Sequence, residues 1–332
     1  MDCGRLDHGS GSAGGRYCAG DARLYRHPAS DRTGIMSDKA EVAPPQRAAL
    51  FINRKSRKGR NAADQVIAAL EAQGIKVEIP SCQGPDDINH SLLHLRDSID
   101  CAVIGGGDGT LNAAAPALME TQLPLGIIPL GTANDLARTL NIPTNPEQAA
   151  RIIAKGKQHL IDLGEVNGVP FFNVASIGFG VALTRALTSD SKKRFGIFGY
   201  PIAALRVARR LRPFHAEIRH GGTTTVTKTL HLAIGNGRHY GGGMTVSEDA
   251  SIDDGKLDVW SLEVESAWGL IRLLPALWRG TQGRWREVIT LSEEALEVHT
   301  RHPRSINTDG EITTRTPADF IVRRRAVRVF GP

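Results

Sequence analysis

From residue 47 onward the chain alternates short apolar runs with segments of helical spacing. Arg47–Asn53 (RAALFIN) is a short apolar run that ends in a polar turn. Val66, Ile67 and Leu70 recur at helical spacing and predict a helix over 61–73, closed by Gly74. The run IKVEIP (75–80) predicts a strand, 86–96 a helix, and DCAVIGGG (100–107) a buried strand running into glycines. A helix over 111–120, a strand at PLGIIPLG (124–131) and a helix over 133–140 follow. Such alternation predicts a parallel sheet with helices on both faces. After about residue 160 short β-like runs take over: FFNVASIGFG, HAEIRH, TTVTKTLHLAIGN, KLDVWSLEV, EVITLS, ALEVHTR and ADFIVRRRAVRVF. Two helical segments, near 192–211 and 266–279, interrupt them. A strand-rich second domain is the expectation, and no repeat at a fixed period is visible. Residues 1–45 are rich in Gly, Ser, Asp and Arg without sustained periodicity, which predicts a disordered leader. Within it Met36 opens a stretch that reads as a natural start just before the first strand.

Composition narrows this picture only a little. The 332 residues are 41% apolar, enough for a sizeable core. A net charge of +6 suits anionic partners or simply keeps the surface soluble. The four cysteines, Cys3, Cys18, Cys82 and Cys101, lack metal-site or redox-motif spacing and read as reduced cytosolic thiols. No apolar stretch approaches the ~20 residues that span a bilayer, and the N-terminus lacks a signal-peptide core.

The strongest chemical signal is VIGGGDGTLN (103–112). An apolar strand delivers Gly105, Gly106 and Gly107, then Asp108, Gly109 and Thr110, and then the helix that carries Asn112. Glycines let backbone N–H groups approach phosphate oxygens, and the helix N-terminus adds partial positive charge. Asp108 is placed to engage a Mg²⁺ bridging phosphates, directly or through water. The alternative is a plain strand-to-helix turn with Asp or Thr as its cap. Neither G-x-x-x-x-G-K-[ST] nor G-x-G-x-x-G is present. A second signal, PLGTANDLAR (129–138), also follows an apolar strand and opens a helix. Gly131 and Thr132 form its turn, and Asn134, Asp135 and Arg138 follow in the first helical turn. In a doubly wound sheet, adjacent strand ends share one ligand crevice. Capping with a local ion pair is the plainer reading of these polar residues.

Together these residues resemble the diacylglycerol kinase catalytic-domain family, lipid kinases that include sphingosine kinases and are distantly akin to NAD kinases. The resemblance runs from about residue 47 to the C-terminus. GGDGT is shared with NAD kinases and phosphofructokinases, whereas PLGT-x-ND-x-AR is far more specific to lipid kinases. NRKSRKG (53–59) looks like the family's first loop, with Asn53 and Ser56 kept but Arg54 and Arg57 in place of its proline and glycine. IDLGEVNGVPFFNVASIGFG (161–180) matches the entry into the second domain, where an aspartate matching Asp162 joins a charged network near the site. GNGRHYGGGMTVSEDASIDDGKLDV (235–259) resembles the stretch in which relatives hold a structural Mg²⁺. The resemblance implies a carboxylate from Asp254 and carbonyl oxygens from Ser251 and Lys256. In NTDGE (307–311) it implies that Glu311 is the general base; as an isolated string DGE reads as a surface turn. Relatives commonly carry an acid after GGDGT-x-N, but here Ala113 stands there.

The resemblance implies an NAD-kinase-like α/β nucleotide-binding domain over 46–163, with the strand at about 320–332 returning to it. A β-rich, sandwich-like lipid-substrate domain spans 164–319. It also implies an ATP-dependent lipid kinase. Gly105–Gly107, Gly109, Thr110, Asn112, Gly131, Thr132, Asn134 and Asp135 would line the ATP site with Asn53, Ser56 and Ser81, and Asp108 would hold Mg²⁺. Glu311 would take the proton of a lipid hydroxyl. Residues 192–212 hold seven Lys or Arg, and 266–286 hold three of the four tryptophans with four arginines. Such segments suit an anionic interface, which predicts a cytoplasmic protein peripherally associated with membrane; packing of both onto the second domain is the other reading. Relatives with this layout are often dimers, so a homodimer is one expected assembly. An NAD kinase and a catalytically silent nucleotide or lipid sensor are the rival functions. No nucleic-acid-binding signature is present.

Overall fold

The structure is a computed structural model that describes residues 43–53, 57–82, 84–186, 206–207, 209–245, 250–263, 276, 279, 281, 285 and 288–332. Ser56, the leader before residue 43 and most of the two basic and aromatic segments lie outside the described residues.

The N-terminal part runs β1 (Arg47–Ile52), α1 (Arg57–Glu71), β2 (Lys76–Glu78), α2 (Pro85–Leu95), β3 (Cys101–Gly106), α3 (Asp108–Thr121), β4 (Leu125–Pro129), α4 (Asp135–Thr139), α5 (Pro146–Ala154) and β5 (Gln158–Val166). Strands β2-β1-β3-β4 lie side by side and parallel. The core residues of β1, β3 and β4 are apolar on both faces, as a sheet covered by helices requires. Helix α2 packs on α3, and α1 packs on α5. The α5 helix was not anticipated from the sequence; Pro146 at its first turn and Asn145, whose Oδ1 accepts the Gln148 N–H, start it. Helix α1 begins earlier than expected, at Arg57, inside the segment read as the first loop. Arg and Lys at 57, 58 and 60 are good helix formers, which favours this earlier start.

The C-terminal part runs β6 (Val169–Phe171), β7 (Val174–Gly178), α6 (Phe179–Ala186), β8 (Phe214–His220), β9 (Thr223–Thr229), β10 (His231–Gly235), β11 (His239–Tyr240), β12 (Met244–Thr245), β13 (Leu257–Leu262), β14 (Val288–Glu293), β15 (Ala295–Thr300), β16 (Ser305–Thr308), β17 (Glu311–Arg315) and β18 (Ala318–Phe330). One sheet follows the order β14-β13-β10-β7-β16-β17. The facing layer holds β8, β9, β15 and one half of β18. Between them lies a core that includes Phe171, Ile177, Phe214, Ile218, Leu232, Val259, Leu296, Val298, Ile306 and Phe320, the arrangement of a sandwich.

The fold class is therefore the one read from the sequence, with one addition: a single sheet runs through both parts. Phe320–Arg323 of β18 pair with Val166–Leu163 of β5, and Val327–Phe330 pair with Ile161–Gln158. The far end then joins the parallel sheet, with Val329 opposite Leu125 of β4. A bulge separates the two halves, and Arg325 takes a left-handed φ of 51° there. Buried Asp162 secures this break: Oδ1 accepts the Arg325 N–H at 2.6 Å and Oδ2 the Gly255 N–H at 2.7 Å. Among the described residues no helix is long and apolar enough to cross a membrane.

Candidate active site

The carboxyl ends of β3 and β4 are neighbours, with Gly106 opposite Pro129. Both turns that follow therefore emerge at one edge. The Leu130 and Gly131 N–H groups both donate to Gly106 O, at 2.9 and 3.2 Å. The two turns meet glycine to glycine. A Cβ built on Gly131 would lie 2.5 Å from Gly107 Cα and 2.7 Å from Asn134 Oδ1, and one on Gly107 would lie 3.1 Å from Gly131 Cα. Only residues without side chains allow this approach. A Cβ on Gly106 would meet Thr110 at 2.7 Å.

Several candidate residues hold this geometry. Asn134, in the left-handed region at φ 52°, accepts the Gly131 N–H at 2.8 Å through Oδ1 and donates Nδ2 to Gly131 O at 3.0 Å. Helix α4 accordingly starts at Asp135, later than the spacing predicted. Asp108 Oδ1 accepts the Leu136 N–H at 3.1 Å, which joins the first turn to the helix opened by the second. Asp135 does not pair with Arg138 as the i, i+3 reading allowed. It is 5% exposed, and both its oxygens accept the Gly242 N–H, at 3.1 and 3.0 Å. Gly241, Gly242 and Gly243 all have positive φ, so this loop of the second part can press onto α4. Burial pushes Asp135 up to about 6; the Gly242 N–H opposes that, and nearby Asp108 adds to it.

Beside the second turn lies a cavity of about 760 Å³, lined by Asn61 and Gln65 of α1, Gly131, Thr132, Arg138 and Pro143 among others. Asn53 follows β1, next to β3, and is exposed. Ser81, also exposed, follows β2, which is two strands from β3.

Glu311 enters from the second part. It pairs with Thr308 across a two-residue hairpin loop, Asp309–Gly310. Both loop residues have positive φ, 47° and 97°, as a type I′ turn requires. The string DGE is thus a hairpin turn, and the turn sits over the first glycine loop. Glu311 Oε1 lies 3.5 Å from the place a Cβ on Gly109 would occupy, at the positive end of α3. Carboxylate, helix N-terminus and glycine turns thus lie close together, an arrangement suited to transferring a phosphoryl group to an acceptor that loses a proton.

The diacylglycerol kinase catalytic domain matches residues 47–166, and the YegS C-terminal NAD kinase beta sandwich-like domain matches residues 173–331. The Mycobacterium tuberculosis (strain H37Rv) protein named diacylglycerol kinase is 34% identical over 284 residues, 82% of this chain and 90% of that protein. The chain belongs to the diacylglycerol kinase family. A Bacillus subtilis (strain 168) protein of the same name is 28% identical to this family member over 81% of its chain and 90% of the relative. A crystal structure described as that of a diacylglycerol kinase from Bacillus anthracis str. Sterne superposes with a TM-score of 0.70 at 20% identity, covering 88% of this chain and 98% of that one. That last likeness speaks to fold alone.

In this diacylglycerol kinase family member two further side chains tie these groups together and were not singled out from the sequence. Asn173 donates Nδ2 to Asp108 Oδ1 at 3.5 Å. Asp309 accepts the backbone N–H groups of Phe172, Asn173 and Val174 at 2.7, 3.0 and 3.0 Å. Asn112, with Nδ2 turned toward its acceptors, donates to Asp309 Oδ2 at 3.3 Å and Pro170 O at 3.1 Å, so its amide faces the second part. Burial pushes the Asp309 carboxyl up to about 7; the backbone donors oppose this and Asp108 adds to it. The signal for Asp309 was the motif itself, read only for its glutamate.

The residues expected to bind a structural metal lie apart, in the loop before β13. Partial burial, then the Asp258 and Asp162 carboxylates, push Asp254 up to about 6, although part of its surface stays exposed. Its Oδ1 accepts the Lys256 N–H at 3.0 Å, and Ser251 Oγ donates to Asp253 Oδ1 at 2.5 Å. Among the described residues no three His, Cys, Asp or Glu side chains form a metal cage. A cation here would rest on Asp254 with backbone carbonyls. Crowded acidic oxygens in a tight loop fit a hard divalent ion.

Proposed function

We propose that the protein transfers the γ-phosphate of ATP to the hydroxyl of diacylglycerol or a similar lipid. The observation that carries this reading is the glycine-to-glycine contact of the two turns with Glu311 poised above the α3 N-terminus. The backbone of Gly105–Gly107 and Gly109, with Thr110 and Thr132, cradles the phosphates, Gly131 leaves room for them, and the cavity beside Thr132 takes more of the nucleotide. Asp108 would hold the Mg²⁺ that accompanies ATP, and that ion would supply neutralisation of the phosphate charge. The lipid hydroxyl oxygen attacks the γ-phosphorus, the bond to ADP breaks, and Glu311 accepts the hydroxyl proton. Catalysis rests on positioning and electrostatics. An acceptor of this kind is reached at a membrane surface, from the cytoplasmic side and with anionic lipid favoured.

ADP release tests the reading. With ATP, Mg²⁺ and mixed micelles it should require an added lipid alcohol, and rank diacylglycerol, monoacylglycerol, phosphatidylglycerol and a ceramide-like base. ATP binding with no lipid-dependent ADP would favour a silent sensor instead.

The structural Mg²⁺ proposed at Asp254, Ser251 and Lys256 would draw the loop before β13 together and offset the crowding of Asp254 with Asp162 and Asp258. Thermal melts without nucleotide should then shift upward by several degrees on adding Mg²⁺, about what 1–2 kcal/mol of linked binding gives. Asp254→Asn should abolish the shift. An equal shift in that variant would move the ion elsewhere.

A further inference from the structure

We propose that Asp309 is the positioning residue for Glu311, locking the hairpin turn that carries the base to the helix that receives the phosphates. The inference rests on Glu311 being the base. Asp309 Oδ1 accepts the Asn173 and Val174 N–H groups, and Oδ2 accepts the Phe172 N–H and the Asn112 amide. A carboxylate has about four lone-pair sites, and here all four have donors. Three come from consecutive backbone amides where the chain passes from β6 into β7, a concave set that grips an anion. The fourth comes from α3, the helix whose Gly109 faces Glu311. The Asp309 N–H also donates to Val174 O, so main chain and side chain are pinned to one short segment.

From this anchor the path to Glu311 is short and stiff. Only Gly310 intervenes, and its N–H donates to Asn307 Oδ1 at 3.1 Å. Asn307 Nδ2 in turn donates to Thr184 Oγ1 at 3.0 Å. The Glu311 backbone therefore has little freedom relative to α3. The turn alone does not call for a carboxylate, because Asn-Gly is a favoured type I′ pair. What Asp309 adds over Asn is the second acceptor oxygen. An amide at this place would satisfy two donors and turn its own NH₂ toward the others.

Asp309→Asn keeps the turn chemistry and removes that oxygen. We expect kcat for lipid phosphorylation to fall about 100-fold, the scale of a 1 Å misplacement of a catalytic group, with KM for ATP unchanged. In a Glu311→Gln background the same substitution should cause no further loss. Asn112→Ala, which frees the α3 side of the anchor alone, should give a smaller kcat loss that also vanishes in that background. Thermal melts establish that each variant is folded; if Asp309→Asn is not, the Asn112→Ala pair carries the test. Wild-type kcat in a folded Asp309→Asn beside an impaired Glu311→Gln would overturn the inference and spare the base. Equal losses in both backgrounds would make Asp309 merely structural. Full turnover in Glu311→Gln would remove the base reading, and the inference with it.

Discussion

Glu311→Gln is expected to lower kcat for lipid phosphorylation by about 10²–10⁴-fold, the usual contribution of a positioned base, while KM for ATP stays near wild type. The split follows from geometry. Glu311 belongs to β17 and meets α3 at Gly109, whereas the turns that would bind ATP are built from β3, β4 and the helices after them. Glutamine preserves size and still fits beside Gly109, but it cannot accept the hydroxyl proton. Glu311 is exposed and begins a hairpin strand, so stability should change little. A variant that lost ATP binding as well would show that Glu311 shapes the nucleotide site.

Gly131→Ala should be nearly as damaging, through ATP. The added Cβ meets the Gly107 Cα at 2.5 Å and Asn134 Oδ1 at 2.7 Å. The first is backbone, and the second is held by two hydrogen bonds to Gly131 itself. Neither neighbour can swing aside, so the two turns must part. Every N–H aimed at phosphate then moves, and kcat/KM for ATP should drop about 100-fold or more. Gly84→Ala makes a suitable control, because a Cβ there meets nothing within 4 Å and the backbone is extended. Near-wild-type kinetics in Gly131→Ala would mean that the cradle does not depend on contact between the turns.

Much of this was legible in the sequence, and particular residues show why. The strand–helix alternation to residue 140 gave the parallel sheet because its strands are buried on both faces and its helices carry apolar periodicity. The two glycine turns stood out because each follows an apolar run. Their mutual contact did not, because it depends on β3 and β4 being neighbours. Asn134, Asp135 and Asn112 were read as nucleotide-facing, yet Asn134 laces its own turn, while Asp135 and Asn112 reach to the second part. The contacts of Asp135 with Gly242 and of Asn112 with Asp309 each span more than a hundred residues and leave no local pattern. The same holds for Asp309, whose donors lie at 172–174. The unbroken sheet through β5 and β18 was only half visible: the run 318–330 read as one strand, but the bulge at Arg325 depends on distant Asp162.

The most direct test of the lipid kinase reading follows label from [γ-³²P]ATP. The protein, Mg²⁺, diacylglycerol in mixed micelles and, in a parallel reaction, NAD would be incubated and the products separated by thin-layer chromatography. The expected result is label in a new organic-soluble phospholipid, absent with Glu311→Gln and absent from NAD. Label on NAD, or in inorganic phosphate alone whatever lipid is offered, would contradict it.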